Sequence, residues 1–255
     1  MEDTQLSLKN VSFSYHSQSG EVRALDSISF HVRAGEFVAI VGPSGCGKST
    51  ILSLIAGLLK PESGDITFYT EDPHDKKSGI GYMLQRDHLF EWRSVYRNII
   101  LGLEINHQLT PEKKEMVLAM AEDYGLTPFL SKKPSELSGG LKQRAALVRT
   151  MAMEPDILLL DEPFSALDYQ TRLNVSADIC RIIRSAQKTA ILITHDLSEA
   201  ISLSDRVIVL SSRPARVVKE IPIRLTLRDD SLLAARNAPE FKTYFNLLWE
   251  ELNHG

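Results

Sequence analysis

Gly42-Pro43-Ser44-Gly45-Cys46-Gly47-Lys48-Ser49-Thr50 decides how this chain is read. It fits the phosphate-binding pattern G-x-x-x-x-G-K-[ST] at each position. The flanks fit as well. Phe37-Val38-Ala39-Ile40-Val41 is an apolar, β-prone run ahead of it, and Ile51-Leu52-Ser53-Leu54-Ile55-Ala56 reads as helix behind it. A strand that turns through glycines into a helix aims backbone N–H groups at one point, a nest for an anion at the helix N-terminus. Lys48 reaches the β- and γ-phosphates of a nucleotide, and the Ser49 hydroxyl is placed for Mg²⁺. The loop alone means a nucleoside triphosphate. GTPases, small-molecule kinases, helicases and transport ATPases all carry it.

Composition narrows the field. The chain has 255 residues, 43% hydrophobic and 24% charged, which suits a globular protein of one domain or two lobes. A net charge of −4 gives no electrostatic case for nucleic acid. Two cysteines, Cys46 and Cys180, are too few for a disulfide scaffold and fit a reducing compartment. Met1 to Asn10 is polar and mixed in charge, unlike a secretory signal. The longest near-apolar run, Ile51 to Leu59, is about half a membrane span. The chain is not expected to cross a membrane alone.

Leu6, Leu8, Val11, Phe13 and Tyr15 recur near a period of two, a strand signal, and Ala24 to Val32 continues in that style. Pro61-Glu62-Ser63-Gly64 stops the helix after the phosphate loop, Asp65 to Tyr69 is a short strand, and Glu71 to Ser78 is a polar loop. Pro111 to Tyr124 reads as helix, with Thr110 as N-cap, and Ser138 to Met153 reads as another. The spacing predicts a helical lobe at about 90–155, inserted into an α/β core. That core resumes with the apolar strands Ile157–Leu160, Ala190–Ile193 and Val207–Leu210, as in a buried parallel sheet. Glu240 to Leu252 is an amphipathic helix.

Ile157 to Leu160 runs into Asp161-Glu162. Carboxylates there lie at the C-terminal edge of the sheet, where the phosphate loop also ends. Asp161 is placed to orient Mg²⁺, and Glu162 to polarise an attacking water. In Leu137-Ser138-Gly139-Gly140-Leu141-Lys142-Gln143-Arg144, Ser138 is a natural N-cap and two glycines follow. This is a second helix N-terminus suited to an anion.

With L-S-G-G-x-x-Q-R present, the chain resembles the ATP-binding cassette (ABC) ATPases. Other landmarks of that family follow in order: Gln85 matches the Q-loop, Pro163-Phe164-Ser165-Ala166-Leu167-Asp168 the D-loop, His195 the switch histidine and Tyr15 the aromatic that stacks on adenine. The resemblance implies a RecA-like P-loop NTPase core with an antiparallel β part and an inserted helical subdomain. It places the ATPase domain at 1–223 and leaves 224–255 as a helical tail. ATP would bind through Tyr15, the 42–50 loop, Ser138, Gly139, Gly140 and Asp168. Mg²⁺ would bind through Ser49, Gln85 and Asp161. Glu162, His195, Lys48 and Gln85 would carry hydrolysis. Ser138 and Gly139 of one copy would close on the γ-phosphate held by Lys48 of another, so a homodimer or a second cassette chain is implied.

Three kinds of ABC protein compete: an importer subunit, a soluble cassette protein of translation or DNA repair, and a free-standing exporter or regulatory cassette. Leu89-Phe90-Glu91-Trp92-Arg93 and Ser211-Ser212-Arg213-Pro214-Ala215-Arg216 resemble the nitrate/sulfonate/taurine importers, which commonly have a Trp after the Q-loop and "RPGR" near the second place. Here Ala215 replaces the Gly, Glu91 a frequent Pro, and Leu141 the usual Gln. The resemblance implies membrane permease subunits, a solute-binding protein acting indirectly, no nucleic acid, and a peripheral place on the cytoplasmic side of the membrane. Leu89, Phe90 and Trp92 form an apolar cluster, part of which is expected to line a groove for a permease helix. Cys46, beside Lys48 and a helix N-terminus, is expected to be a reactive thiol.

Overall fold

The computed structural model describes residues 4–18, 20–69, 79–226 and 232–254. The chain divides into two compact units, Met1–Ser78 with Ala186–Gly255, and Gly79–Ser185. The polar loop expected at Glu71 to Ser78 lies outside the described residues.

In the first unit, β1 (Thr4–Ser17) pairs antiparallel with β2 (Gly20–Arg33) on one side and β4 (Ser63–Phe68) on the other. The apolar alternation of β1 runs in two phases. Leu8 lies opposite Phe30, yet Val11 lies opposite Ile28, so β1 spends one more residue than β2. Asn10 absorbs that bulge at φ 51°, and its Oδ1 accepts from the Ser27 and Ser29 hydroxyls at 3.3 and 3.2 Å.

The strand β3 (Phe37–Val41) lies between β7 (Thr189–Ile193) and β8 (Arg206–Leu210), parallel to both, and β9 (Val217–Pro222) runs antiparallel to β8. Each residue of β3, β7 and β8 is buried, which explains the apolar runs Phe37–Val41, Ala190–Ile193 and Val207–Leu210. Helices α1 (Lys48–Ile55), α7 (Leu197–Leu203), α8 (Leu232–Arg236) and α9 (Phe241–His254) complete the unit. Helix α9 puts Leu248 into one buried cluster with Ala200, Val209 and Ile221, and Phe241, Tyr244 and Phe245 pack against it. Burying one leucine contributes about 1.5–3 kcal/mol, so α9 belongs to the core of this unit.

In the second unit, β5 (Ile80–Met83) pairs parallel with β6 (Ile157–Asp161). Between them the chain forms α2 (Val95–Ile99), α3 (Leu101–Ile105), α4 (Pro111–Asp123) and α5 (Gly139–Met151), and α6 (Tyr169–Ser185) follows β6. Thr110 caps α4, its side chain accepting from the Lys113 amide, with Pro111 in the first turn. Helix α5 comes close to α6 because of two glycines. A Cβ on Gly139 would meet Leu167 Cδ2 at 2.9 Å, and one on Gly140 would meet methyls of Thr171 and Val175 at 3.0 Å.

Candidate functional site

In the first unit, strand register gathers the candidates. Ile40 of β3 lies opposite Ile193 of β7 and Ile208 of β8. The phosphate loop, His195 and the segment after Leu210 therefore leave three neighbouring parallel strands at one carboxyl edge, where open α/β sheets take ligands. Gly47 sits at φ 124°, and a Cβ there would meet Leu25 Cδ2 at 2.9 Å. Only glycine satisfies both the turn and the close approach of β2.

Lys48 is buried within this loop. Its Nζ donates to Gly42 O at 2.8 Å and Pro43 O at 2.9 Å, with Cys46 Sγ at 4.0 Å. The Cys46 amide donates to the same Pro43 carbonyl at 3.3 Å. The Tyr15 hydroxyl meets Thr50 Oγ1 at 3.1 Å, and Phe13 packs edge-to-face on its ring at 5.0 Å. Tyr15 stays 44% exposed, so it is no core residue and its ring is open to a planar ligand. His195 is exposed on a turn that its neighbours fix. Thr194 Oγ1 donates to Glu199 Oε2 at 2.6 Å and accepts from the Asp196 amide at 3.0 Å. Asp196 Oδ1 then caps α7 through the Ser198 and Glu199 amides.

Cys46 corrects the expectation of a reactive thiol. It is 1% exposed, and burial pushes its thiol up despite the nearby Lys48 charge. The sequence shows the cation and the helix terminus but not the desolvation that outweighs them.

In the second unit, Asp161 ends β6, buried, and the Tyr82 hydroxyl donates to its Oδ2 at 3.4 Å. Glu162 follows at φ 44°, a left-handed conformation that costs a non-glycine residue about 1–3 kcal/mol. Ser165 holds it there: its amide and hydroxyl donate to the Glu162 carbonyl at 3.2 and 2.9 Å. Gln85 Nε2 approaches Glu162 Oε2 at 3.5 Å and Ser165 Oγ at 3.4 Å, the long limit for hydrogen bonds. Asp168 caps α6, and hydrogen bonds from Thr171, side chain first and amide second, hold its carboxyl below the usual value. Ser138 caps α5, accepting from the Leu141 amide at 3.4 Å, and Ser138 and Gly139 face solvent.

The segment after Gln85 divides into a buried and an exposed part. Leu89 is buried core, whereas Phe90 is 36% and Trp92 73% exposed, their ring centroids 4.7 Å apart. Two residues missed by sequence reasoning support that pair. Asn98, fully buried, accepts from the Phe90 amide at 2.7 Å and donates to the carbonyls of Phe90 and Ser94. Arg149 donates to the carbonyls of Asp87 and His88, both at 2.7 Å. Among the described residues no group of three or more His, Cys, Asp or Glu could hold a metal alone, and no helix is long and apolar enough to cross a membrane.

The model of the family "ABC transporter" matches residues 25–165. An ABC transporter ATP-binding protein of Bacillus subtilis, YtlC, itself uncharacterized, is 44% identical over 248 residues, covering 97% of this chain and 95% of its own length. The taurine import ATP-binding protein TauB of Roseobacter denitrificans is 36% identical over 254 residues, with coverage of 97% and 95%. Among solved structures, the dimeric post-hydrolysis cassette MJ0796 bound to ADP and Pi superposes with TM-score 0.72 at 31% identity, over 86% of this chain and 99% of that one. The cassette cbiO1 of Clostridium perfringens, part of the complex cbiONQ, gives TM-score 0.75 at 29% identity, over 86% and 89%. Family model, full-length relatives and cassette fold converge: the chain belongs to the ABC transporter family, as an ATP-binding, ATP-hydrolysing protein with the P-loop NTPase fold.

Proposed function

We propose that this chain powers an importer of a small solute of the nitrate, sulfonate or taurine class. It would work as a pair of cassettes beneath separate permease subunits, on the cytoplasmic face of the membrane, with a solute-binding protein acting through the permease. One observation carries the proposal: the resemblance to a taurine import ATP-binding protein runs over nearly the whole length of both chains. The exposed Phe90–Trp92 pair, held by buried Asn98, supplies an aromatic anchor of the kind that seats a partner helix.

The residues divide the work as follows. Tyr15 stacks on adenine. The 42–50 loop and Lys48 hold the β- and γ-phosphates. The Ser49 hydroxyl and Asp161 carboxylate are hard oxygen donors of the kind that would hold a Mg²⁺ ion. When bound, that ion would neutralise charge on the phosphates. Glu162 accepts the proton of the attacking water as its oxygen bonds to the γ-phosphorus and the bond to the leaving ADP breaks. His195 and Gln85 orient the γ-phosphate and the water. Ser138, Gly139, Gly140 and Asp168 act on the nucleotide held by the second copy. In this scheme residues 1–223 form the cassette and 224–255 a helical segment whose α9 packs into the first unit.

The test is uptake of labelled taurine, alkanesulfonates and nitrate by cells carrying and lacking this chain with its neighbouring permease genes. ATP-dependent uptake of one of them, lost with the chain, supports the proposal. Unchanged uptake of all of them, with export of another solute lost instead, overturns it.

A further inference from the structure

The segment Ser211 to Arg216 leaves β8 and folds back along β2. Ala215 is fully buried, its amide donating to Ala24 O and its carbonyl accepting from the Asp26 amide, both at 2.9 Å. Arg216 Nε donates to Asp26 Oδ2 at 2.7 Å. The same stretch of β2 backs the phosphate loop, since Leu25 and Ala24 are what a Cβ on Gly47 would strike. Arg213 is thus presented to the phosphate loop by a segment with little freedom, and its NH2 donates to Gly45 O at 2.5 Å.

That contact reaches further than one carbonyl. Gly45 O and the Cys46 amide belong to one peptide plane, whose two ends point in opposite directions. Arg213 holds one end. The other donates to Pro43 O at 3.3 Å, and Pro43 O also accepts Lys48 Nζ at 2.9 Å. A guanidinium on the carbonyl also polarises the peptide and strengthens its N–H as a donor.

We propose that Arg213 is a positioning residue for nucleotide binding, acting through the Gly45–Cys46 peptide to fix the phosphate loop around Lys48. It touches neither nucleotide nor water; it sets the loop that does. The proposal rests on the ATPase activity of the family and not on the solute or the permease, so a failure of uptake would leave it standing.

The experiment uses the full-length chain, the variants Arg213→Ala and Arg213→Lys, and two buried thiols as reporters. Cys46 lies in the loop and Cys180 in α6, so the second is an internal control. Arg213→Ala should raise KM for ATP about 3–10-fold, less than the roughly tenfold or more of a charge-assisted hydrogen bond lost to the ligand itself, because Arg213 is exposed and acts through the loop, with kcat within about twofold. Maleimide labelling of Cys46, read by mass spectrometry, should accelerate by a similar factor while Cys180 and the melting temperature hold. Arg213→Lys, which keeps a charged donor, should restore most of both. Unchanged KM and Cys46 labelling in Arg213→Ala would overturn the proposal. So would both thiols labelling faster with a lowered melting temperature, which is general loosening, or a fall in kcat at constant KM, which is action on the reacting atoms.

Discussion

The phosphate loop and the Ser138 turn are both glycine turns that open a helix, yet they are finished to different degrees. The first contains its cation: Lys48 is buried and bonded to the loop's own carbonyls. The second is bare. Ser138 and Gly139 face solvent, and the cation in the next turn, Lys142, is drawn toward Glu91 at 3.8 Å. A helix N-terminus alone offers a fractional positive charge, worth about 0.3–1 kcal/mol at an exposed site. On the proposed reading the loop would hold triphosphate by itself, while the Ser138 turn would act only on an anion that something else presents. That asymmetry is a local argument for the proposed pairing, in which two cassettes would close on each other's nucleotide.

The largest expected effect tests a carboxylate of the second unit. Glu162→Gln removes the proposed proton acceptor and should lower the hydrolysis rate about 10²–10⁴-fold while ATP binding, measured by calorimetry, persists. Near-normal hydrolysis would remove Glu162 from its proposed role. Lys48→Ala comes next. It should weaken ATP binding about 10–100-fold, as loss of charge-assisted contacts implies, whereas Ser138→Ala should leave binding by the isolated chain unchanged and abolish ATP-dependent pairing on gel filtration. Equal losses of affinity in the two variants would erase the comparison.

A smaller effect concerns packing. Gly140→Ala drives a methyl against Thr171 and Val175 and should destabilise the chain by about 1–3 kcal/mol in urea unfolding. The same change at exposed Gly45 meets nothing closer than 3.8 Å, so its effect would come from the positive φ alone. The smallest expected effect on the isolated chain is that of Trp92→Ala, within about 0.5 kcal/mol for a residue 73% exposed. Co-purification with the permease subunits should nevertheless fall. Intact assembly would move the docking surface away from Phe90 and Trp92.

Local chemistry was legible and tertiary placement was not. The strand–loop–helix around Lys48, the Thr110-Pro111 start of α4 and the Ser138 cap of α5 follow from short patterns, because caps and turns are set by adjacent residues. The extra residue in β1 could be seen only as an uneven alternation between Leu8 and Val11; its cause, Asn10 bonded to β2, depends on a partner strand. Burial keeps the Cys46 thiol protonated and separates Leu89 from Phe90 and Trp92, and burial is a property of the assembled unit, not of a local pattern. Arg213 stood in a recognised stretch, but its partner Gly45 is 168 residues away, so nothing in the local pattern connects the two.

The Lys48 ammonium has a further consequence. It carries three protons in a tetrahedral array. Two are committed to strong oxygen acceptors, Gly42 O and Pro43 O, and the remaining neighbour is the Cys46 sulfur at 4.0 Å, a poor acceptor. On the proposed reading, a phosphate oxygen arriving at the loop would compete with sulfur and not with a carbonyl. The lysine would then take up its ligand by exchanging only its weakest contact, so the penalty for reorganising the site on binding would be small.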